Sequence, residues 1–376
     1  MEGKYINNRE IIVFGAGKTG EQFIYSHFAD IKICCFWDNQ KTGELLGYQI
    51  LKPQPGKQVF IIVASLSYLE IRRQLAQMGY HEFLDFIPYQ IFGKKIAVAY
   101  GNCHMEVVKI YLERDKEFAS NYGFYPLPMV QQMKNMPWDF GEVLHRCVLF
   151  FHQSIRRDNL YGEQYSSECM LQHLAESCTT ISIPNLYGMP KYLFPQLDMN
   201  AGKVGAFHPF FIDRNIALWI KAGKRLEKIK SYILKGGAYS KSEIKKMWED
   251  FQIKLFKREK EWDIKISDYI LSHQSKLKLF SDPNHITSKT AHEISNRILE
   301  YMGYDRQIGC ELPLMDDLEA IIYEDVREAL ELEFEETYLR KYQIFSGICI
   351  HEMDRDEYIE QMYQYIRFCL ENGFYQ

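Results

Sequence analysis

The chain has 376 residues, which is enough for two or three domains and a substantial core. Its 47% hydrophobic and 25% charged residues are typical of a soluble protein, and a formal net charge of -5 argues against nucleic acid as the main partner. The sequence shows no signal-peptide pattern and no run of roughly 20 apolar residues, so we expect a cytoplasmic protein without a membrane span.

The first 90 residues or so alternate between strand and helix patterns. In chain order they contain the strand "EIIVFGAG", the helix "TGEQFIYSHF", the strands "IKICCFWDN" and "KQVFIIVAS", and the helix "SYLEIRRQLAQMGY". This βαβ alternation predicts a small doubly wound parallel sheet, which we assign to a Rossmann-like domain over residues 1–93.

A glycine-rich turn follows the first strand of this domain. Gly15, Gly17 and Gly20 have the G-x-G-x-x-G spacing, in which the glycines permit a tight turn, approach of a diphosphate and close helix packing. Asp38 ends the next strand, where a ribose-binding carboxylate is expected. The pattern predicts a nucleotide-binding turn, and a turn kept for packing alone is the alternative.

The segment "FWDNQKTGELLGYQILKP" adds a resemblance to this pattern. Together with the glycine turn, it resembles the N-terminal domain of bacterial sugar acetyltransferases that bind UDP-sugars. Similar domains are also attached to sugar-modifying methyltransferases. The resemblance implies a nucleotide or UDP-sugar ligand rather than a redox cofactor.

A second α/β domain is predicted over residues 94–305. Its strands are "KIAVAYGN", "RCVLFFHQ" and "TTISIPN", residues 122–140 are predicted as a loop, and a charged helical insertion covers about 216–272. Residues 306–376 are predicted to form a mostly helical extension. The predicted fold class is therefore α/β, with a small Rossmann-like sheet followed by a flavodoxin-like domain.

The second domain carries a different turn, "GNCH", after its first strand. It lacks the glycine spacing for a diphosphate but places Cys103 at a helix N-terminus, which favours a thiolate and can stabilise an oxyanion. The loop "SDPNH" gives Asp282 and His285 the D-x-x-H spacing of an orienting carboxylate and a base. A buried small thiol and a helix-capping histidine are the alternatives.

The nine cysteines indicate no metal site. They are scattered along the chain, none forms a C-x-x-C motif, and no Cys/His pair repeats with ligand spacing. We expect most of them to be buried thiols.

These motifs resemble a known family when they are taken in order. A G-N-C turn with a later D-x-x-H resembles the SGNH hydrolase pattern with cysteine in place of serine. More narrowly, the chain resembles the WcbI-type capsule polysaccharide-biosynthesis family over roughly residues 95–305, through the segments "AYGNCHMEVV", "VLFFHQSIRRD", "ISIPNLYG", "AFHPFFID" and "LFSDPNHIT". The resemblance implies an SGNH-like fold, coenzyme A or acetyl coenzyme A as cofactor, and acetyl transfer to glycans.

The resemblance also implies residue roles. Cys103 would be the nucleophile, His285 the base and Asp282 its orienting residue, and the amide of Cys103 would donate to the oxyanion. Arg156 and Arg157 could contact coenzyme A phosphates, although a paired-arginine loop is usually solvated. Oxyanion or substrate contacts are expected from Asn102, His104, Gln153, Asn284 and His208.

Three of these residues have open alternatives. Gln153 could equally be a solvent-facing loop amide, and His208 a core histidine among aromatic residues. The residue after the cysteine is usually glutamine in this family, so His104 departs from the pattern and could be a local base.

The leading interpretation is an acyltransferase that moves an acyl group from coenzyme A to a sugar hydroxyl in surface or capsular polysaccharide synthesis. Either Cys103 forms an acyl-enzyme or His285 activates the hydroxyl directly. An esterase or deacetylase acting on a glycan, and a non-catalytic nucleotide-sugar-binding protein, are the alternatives. The expected partners are an acyl donor and a glycan or nucleotide-sugar acceptor, and a homo-oligomer is left open.

Overall fold

The structure, a computed structural model, describes residues 9–27, 31–134, 136, 139–199, 211–305, 320–334, 338–344 and 347–374, and the side chains of 338–353 are not described. The chain divides into two compact units. The first comprises residues 1–100 and 113–180, and the second comprises residues 101–112 and 181–376. These limits differ from the three domains expected from the sequence, and that division stays a prediction.

The first unit begins with a six-stranded sheet. Its strands have the order β3-β4-β2-β1-β5-β6, and every neighbouring pair is parallel except β3 with β4. Strands β1 and β5 are almost wholly apolar because a parallel sheet is covered on both faces. The elements are β1 (Glu10–Phe14), α1 (Lys18–His27), β2 (Ile33–Trp37), β3 (Gly43–Leu45), β4 (Tyr48–Leu51), β5 (Val59–Val63), α2 (Tyr68–Gln77) and β6 (Phe86–Pro88).

A second sheet follows, with the strand order β10-β9-β7-β8. Strand β7 pairs in parallel with both β8 and β9. Part of the segment predicted as a loop is therefore a short edge strand, β8. The aromatic and proline-rich residues around it led to the prediction of a loop. The elements are β7 (Lys95–Tyr100), α3 (Cys103–Leu112), α4 (Lys116–Asn121), β8 (Tyr122–Phe124), α5 (Gly141–Arg146), β9 (Leu149–Gln153), α6 (Ser167–Leu171) and β10 (Thr179–Ile183).

The second unit is mainly helical. Helix α3 packs against α11, where the Ser295 hydroxyl donates to the backbone oxygen of Val108 at 3.4 Å. The charged segment predicted as helical contains four helices, and the longest, α9, begins with the predicted capping box of Ser240 and Glu243. The elements are β11 (Leu197–Met199), β12 (Phe211–Asp213), α7 (Arg214–Lys221), α8 (Leu226–Lys235), α9 (Lys241–Glu259), α10 (Ser267–His273) and α11 (Ser288–Tyr301).

The C-terminal segment contains helices α12 (Glu324–Leu330) and α13 (Arg355–Glu371). Between them lies an antiparallel pair of strands, β13 (Tyr338–Ile344) and β14 (Gly347–Met353), in a segment predicted from the sequence to be mostly helical. Strand β13 contains Tyr338 and Tyr342, and strand β14 contains Ile348 and Ile350. Aromatic and β-branched residues favour extended backbone.

The predicted α/β class, with an N-terminal parallel sheet and a later α/β region, is confirmed. Across the described residues, no helix combines the length and apolar character that crossing a bilayer requires.

Candidate active site

Cys103 is the first residue of helix α3, and Gly101 and Asn102 form the turn between it and strand β7. Asn102 caps this helix: its side-chain oxygen accepts from the backbone N–H of His104 at 3.0 Å, and its backbone oxygen accepts from Met105 at 3.0 Å. The Cys103 side chain is partly exposed. The turn therefore presents a reachable thiol at the positive end of a ten-residue helix.

The loop of residues 281–285, called here the catalytic loop after the role predicted from the sequence, is held in shape by the carboxylate of Asp282. One oxygen of this buried side chain accepts from the backbone N–H groups of Asn284 and His285 at 2.7 and 2.9 Å. The other oxygen accepts from Nδ1 of His285 at 2.7 Å. A single carboxylate thus shapes the loop and orients the imidazole, as the D-x-x-H spacing predicts.

His285 also forms a hydrogen bond with the thiol of Cys103. Since Nδ1 is bonded to Asp282, Nε2 is the ring atom left to face the sulfur. Burial lowers the pKa of His285, but the hydrogen bonds to Asp282 and Cys103 and the charges of both groups outweigh it and raise the pKa to about 10. The imidazole therefore carries a proton at neutral pH.

His104 has a different environment from His285, although their rings lie 6.4 Å apart in an edge-to-face arrangement. Its Nε2 atom donates to the backbone oxygen of Asn284 at 2.6 Å. Burial, partly offset by this hydrogen bond, lowers the pKa of His104 to about 4. The ring is therefore neutral, and in the described part of the chain its buried Nδ1 atom has no hydrogen-bond partner.

Residues 185–189, called here the bridging segment, contact both parts of this site. The side-chain amide of Asn102 donates to the side-chain oxygen of Asn185 at 3.4 Å. The backbone N–H of Gly188 donates to the backbone oxygen of Pro283 in the catalytic loop at 2.9 Å. No individual residue of this segment was predicted as a site residue, because backbone hydrogen bonds leave no residue-type signal in a sequence.

Six of the predicted site residues belong to the second unit, namely Asn102, Cys103, His104, Asp282, Asn284 and His285. The side chain of Asn284 contacts the sulfur of Met199 at 3.3 Å. His208 lies outside the described residues.

Three predicted residues belong to the first unit. Gln153 ends strand β9 with a fully buried side chain, so the alternative of a solvent-facing amide is wrong. Arg156 pairs with Asp158 at 2.8 Å. Arg157 pairs with Glu163 and Glu168 at 3.1 and 2.6 Å, so both guanidinium groups already have carboxylate partners.

The glycine turn of the first unit follows strand β1, as the sequence predicted. Gly15 has a φ of +122°, and a side chain there would approach the backbone oxygen of Ala64 to 2.4 Å. A side chain at Gly20 would lie 1.9 Å from the oxygen of Gly15. A side chain at Gly17 would meet no atom within 4 Å. Two glycines are therefore needed for packing, whereas the third faces open space.

Asp38 closes this turn. Its carboxylate accepts from the backbone N–H groups of Ala16, Gln40 and Lys41 at 2.8 to 2.9 Å, and the Lys41 ammonium donates to the Ala16 oxygen at 2.8 Å. Partial burial raises the pKa of Asp38, but these hydrogen bonds outweigh it and hold the pKa below its usual value. The carboxylate lies just after β2, the position at which the sequence predicted a ribose contact, and its hydrogen bonds give it a structural role.

Comparisons with known proteins identify relatives of both parts of the chain. The family model described as C2185-like, N-terminal, matches residues 7–83. A solved structure of WcbI, described as a novel polysaccharide biosynthesis enzyme in a native form without a disulfide bond between coenzyme A and a cysteine, has a TM-score of 0.60. That structure is 19% identical, and the alignment covers 73% of this chain and 90% of the other, so it shows a shared fold. No curated protein matches.

The family model described as polysaccharide biosynthesis enzyme WcbI matches residues 96–307, more than half of the chain. The match contains the cysteine turn, the bridging segment and the catalytic loop. It confirms the resemblance that the sequence motifs indicated. The chain therefore belongs to the WcbI family of polysaccharide biosynthesis enzymes.

Proposed function

We propose that this protein transfers an acyl group, most simply acetyl, from coenzyme A to a sugar hydroxyl during the synthesis of a surface or capsular polysaccharide. The observation that carries the proposal is the Cys103–His285–Asp282 arrangement, with His285 bonded to both other residues. The family is one of polysaccharide biosynthesis enzymes, and a structure with this fold is described by reference to coenzyme A and a cysteine.

The first half of the reaction would load the enzyme. A protonated His285 beside Cys103 is the arrangement of cysteine enzymes that use a thiolate–imidazolium pair. The Cys103 sulfur attacks the thioester carbonyl, and the carbon–sulfur bond to coenzyme A breaks. His285 gives its proton to the departing thiolate, which leaves an acyl group on Cys103 and a neutral imidazole.

The second half would transfer the group to the acceptor. Neutral His285 removes the proton from a sugar hydroxyl, whose oxygen attacks the acyl carbon. The bond to Cys103 breaks, the ester is released and His285 is protonated again. In both halves the backbone N–H of Cys103, which has no acceptor within its helix, would donate to the oxyanion.

The test is to mix the protein with acetyl coenzyme A without an acceptor and to measure the intact mass and the site of acylation. We expect an acetyl group on Cys103, which a panel of sugars and nucleotide sugars then discharges. Cys103→Ala should bind coenzyme A but retain no acyl group. Partly exposed Cys169 provides a matched control, because Cys169→Ala should still be acylated.

Other outcomes separate the alternatives. Full turnover in Cys103→Ala would exclude the acyl-enzyme and leave direct transfer by His285. Hydrolysis of a sugar ester in the absence of coenzyme A would indicate an esterase. Wild-type protein that neither binds nor consumes any coenzyme A form would contradict the acyltransferase, and a non-catalytic role would follow if it also hydrolyses no ester.

We also propose that the glycine turn of the first unit binds the diphosphate of a nucleotide-linked sugar. The open face of Gly17 and the ammonium of Lys41 beside Ala16 support this role. Such a ligand would be the acceptor sugar in the form of a nucleotide conjugate.

A further inference from the structure

One exposed arginine contacts the bridging segment. Arg258, in the last turn of helix α9, donates from its guanidinium to the backbone oxygen of Asn185 at 3.2 Å. The side chain of Asn185 contacts Asn102, the residue that precedes Cys103. All of these residues belong to the second unit. Two hydrogen bonds therefore connect the guanidinium to residues 101–104, called here the nucleophile turn.

Arg258 forms no ion pair with any carboxylate in the described part of the chain, where its guanidinium donates to the Asn185 oxygen. By contrast, Arg156 and Arg157 are held in ion pairs. The contact with the Asn185 oxygen uses one of the five N–H donors of the guanidinium and holds the group in place. A planar, partly immobilised cation of this kind suits bidentate recognition of a phosphate.

We propose that Arg258 binds a phosphate group of the acyl donor, a role that rests on the proposed coenzyme A chemistry at Cys103. The donor carries its thioester at the end of an uncharged pantetheine arm, with its phosphates at the other end. A site for the phosphates must therefore be separated from Cys103 by the length of the pantetheine arm. The bridging segment, which contacts both the nucleophile turn and the catalytic loop, links Arg258 to the site in this way.

The experiment compares the binding of three compounds to the whole chain by calorimetry: coenzyme A, dephospho-coenzyme A and pantetheine. We expect Arg258→Gln to weaken coenzyme A binding about tenfold, because the variant loses a charge-assisted hydrogen bond to a phosphate. Pantetheine, which has no phosphate, should bind wild type and variant equally. Dephospho-coenzyme A shows which phosphate is involved: an equal loss indicates the diphosphate, and no loss indicates the 3′-phosphate.

The matched control is Lys246→Gln, which removes an exposed cation from the first half of the same helix and should leave all three affinities unchanged. Arg258→Lys should recover part of the loss, because the charge returns without the planar fork. Equal binding of coenzyme A by wild type and Arg258→Gln would overturn this inference alone. A wild-type protein that binds no coenzyme A would overturn both it and the proposed function.

Discussion

The imidazole of His104 and the backbone of Asn284 are joined by a 2.6 Å hydrogen bond, although 180 residues separate them along the chain. His104 follows Cys103, the proposed nucleophile, and Asn284 precedes His285, which faces Cys103. The bond therefore fixes the catalytic loop to the first turn of helix α3. A lowered pKa of about 4 keeps this imidazole neutral, so it is suited to hold the loop rather than to accept a proton from substrate.

Replacing His104 with leucine removes the donor and leaves the Asn284 oxygen buried without its partner. We expect the variant to lose about 1–3 kcal/mol of stability and about a hundredfold in kcat, because small misplacements of reacting groups are costly. His104→Gln, which keeps an N–H donor, should remain within a few-fold of wild type. Equal losses in both variants, measured by acyl transfer and urea unfolding, would contradict a positioning role.

The proton on His285 depends on Asp282. Asp282→Asn removes the negative charge beside Nδ1, so we expect the pKa of His285 to fall from about 10 towards the neutral range. Proton NMR of the imidazole would report this directly. Acyl transfer should fall by about 10²–10⁴, because the ring loses its orientation and its charge stabilisation.

The same group predicts a change in stability with pH. The folded-state pKa of His285 lies above the unfolded value of about 6.5, so its stabilising contribution is complete below the unfolded pKa and is lost as the pH rises through about 10. Between these values, the free energy of unfolding should fall more steeply for wild type than for Asp282→Asn. Asp158→Asn, on the surface of the first unit, is the control. Parallel curves for all three proteins would rule out the proposed coupling.

The sequence predicted the local features of the candidate site better than its connections. A thiol at a strand-to-helix turn and the Asp282–His285 spacing depend on neighbouring residues, so their pattern is visible in one sequence. The bond from His104 to Asn284 and the contact of Arg258 with Asn185 join distant segments. Nothing in the spacing of a single chain encodes such pairs.

The fold shows the same division. The strand and helix patterns of the first unit are strongly periodic, so its parallel sheet and its glycine turn were predicted. The short strand Tyr122–Phe124 and the hairpin of β13 and β14 were missed. Both depend on pairing with another strand, because three to seven residues carry too little periodicity to distinguish a strand from a loop or a helix.

A buried acid in the second unit gives another pH-dependent prediction. Asp213 ends strand β12 and caps helix α7, where it accepts from Ile216 N–H at 3.0 Å and from the Tyr323 hydroxyl at 2.7 Å. Burial raises the pKa of Asp213 to about 7 despite these hydrogen bonds. Since this exceeds the unfolded value of about 3.9, the stabilising contribution is complete below the unfolded pKa and is lost as the pH rises through about 7.

Asp213→Asn keeps a capping oxygen and removes the titration. We expect the free energy of unfolding of the variant, relative to wild type, to increase between pH 4 and pH 7 and then to level off. Urea unfolding at several pH values measures this difference. Asp213→Ala should be less stable than Asp213→Asn by about 1–3 kcal/mol at every pH, because the cap and the partner of Tyr323 both disappear. A constant difference between Asp213→Asn and wild type would contradict the expected titration.

Substitutions at two glycines of the first turn should distinguish a packing role from a ligand-binding role. Gly20→Ala places a methyl group 1.9 Å from the Gly15 oxygen, so the backbone must shift, and we expect a loss of about 1–3 kcal/mol or more. Gly17→Ala meets no atom within 4 Å, and its cost should be below about 1 kcal/mol. Urea unfolding compares the two variants.

If the turn binds a diphosphate, the methyl group of Gly17→Ala occupies the space through which the ligand approaches. A well-folded Gly17→Ala protein should then lose the thermal stabilisation that a UDP-sugar gives to wild type, while stabilisation by coenzyme A persists. Gly56→Ala is not a suitable control, because its φ of +76° would strain the backbone. Ala76→Gly in helix α2 makes a change of one methyl group in the same unit and should retain UDP-sugar binding. Undiminished binding by Gly17→Ala would leave the turn with a packing role alone.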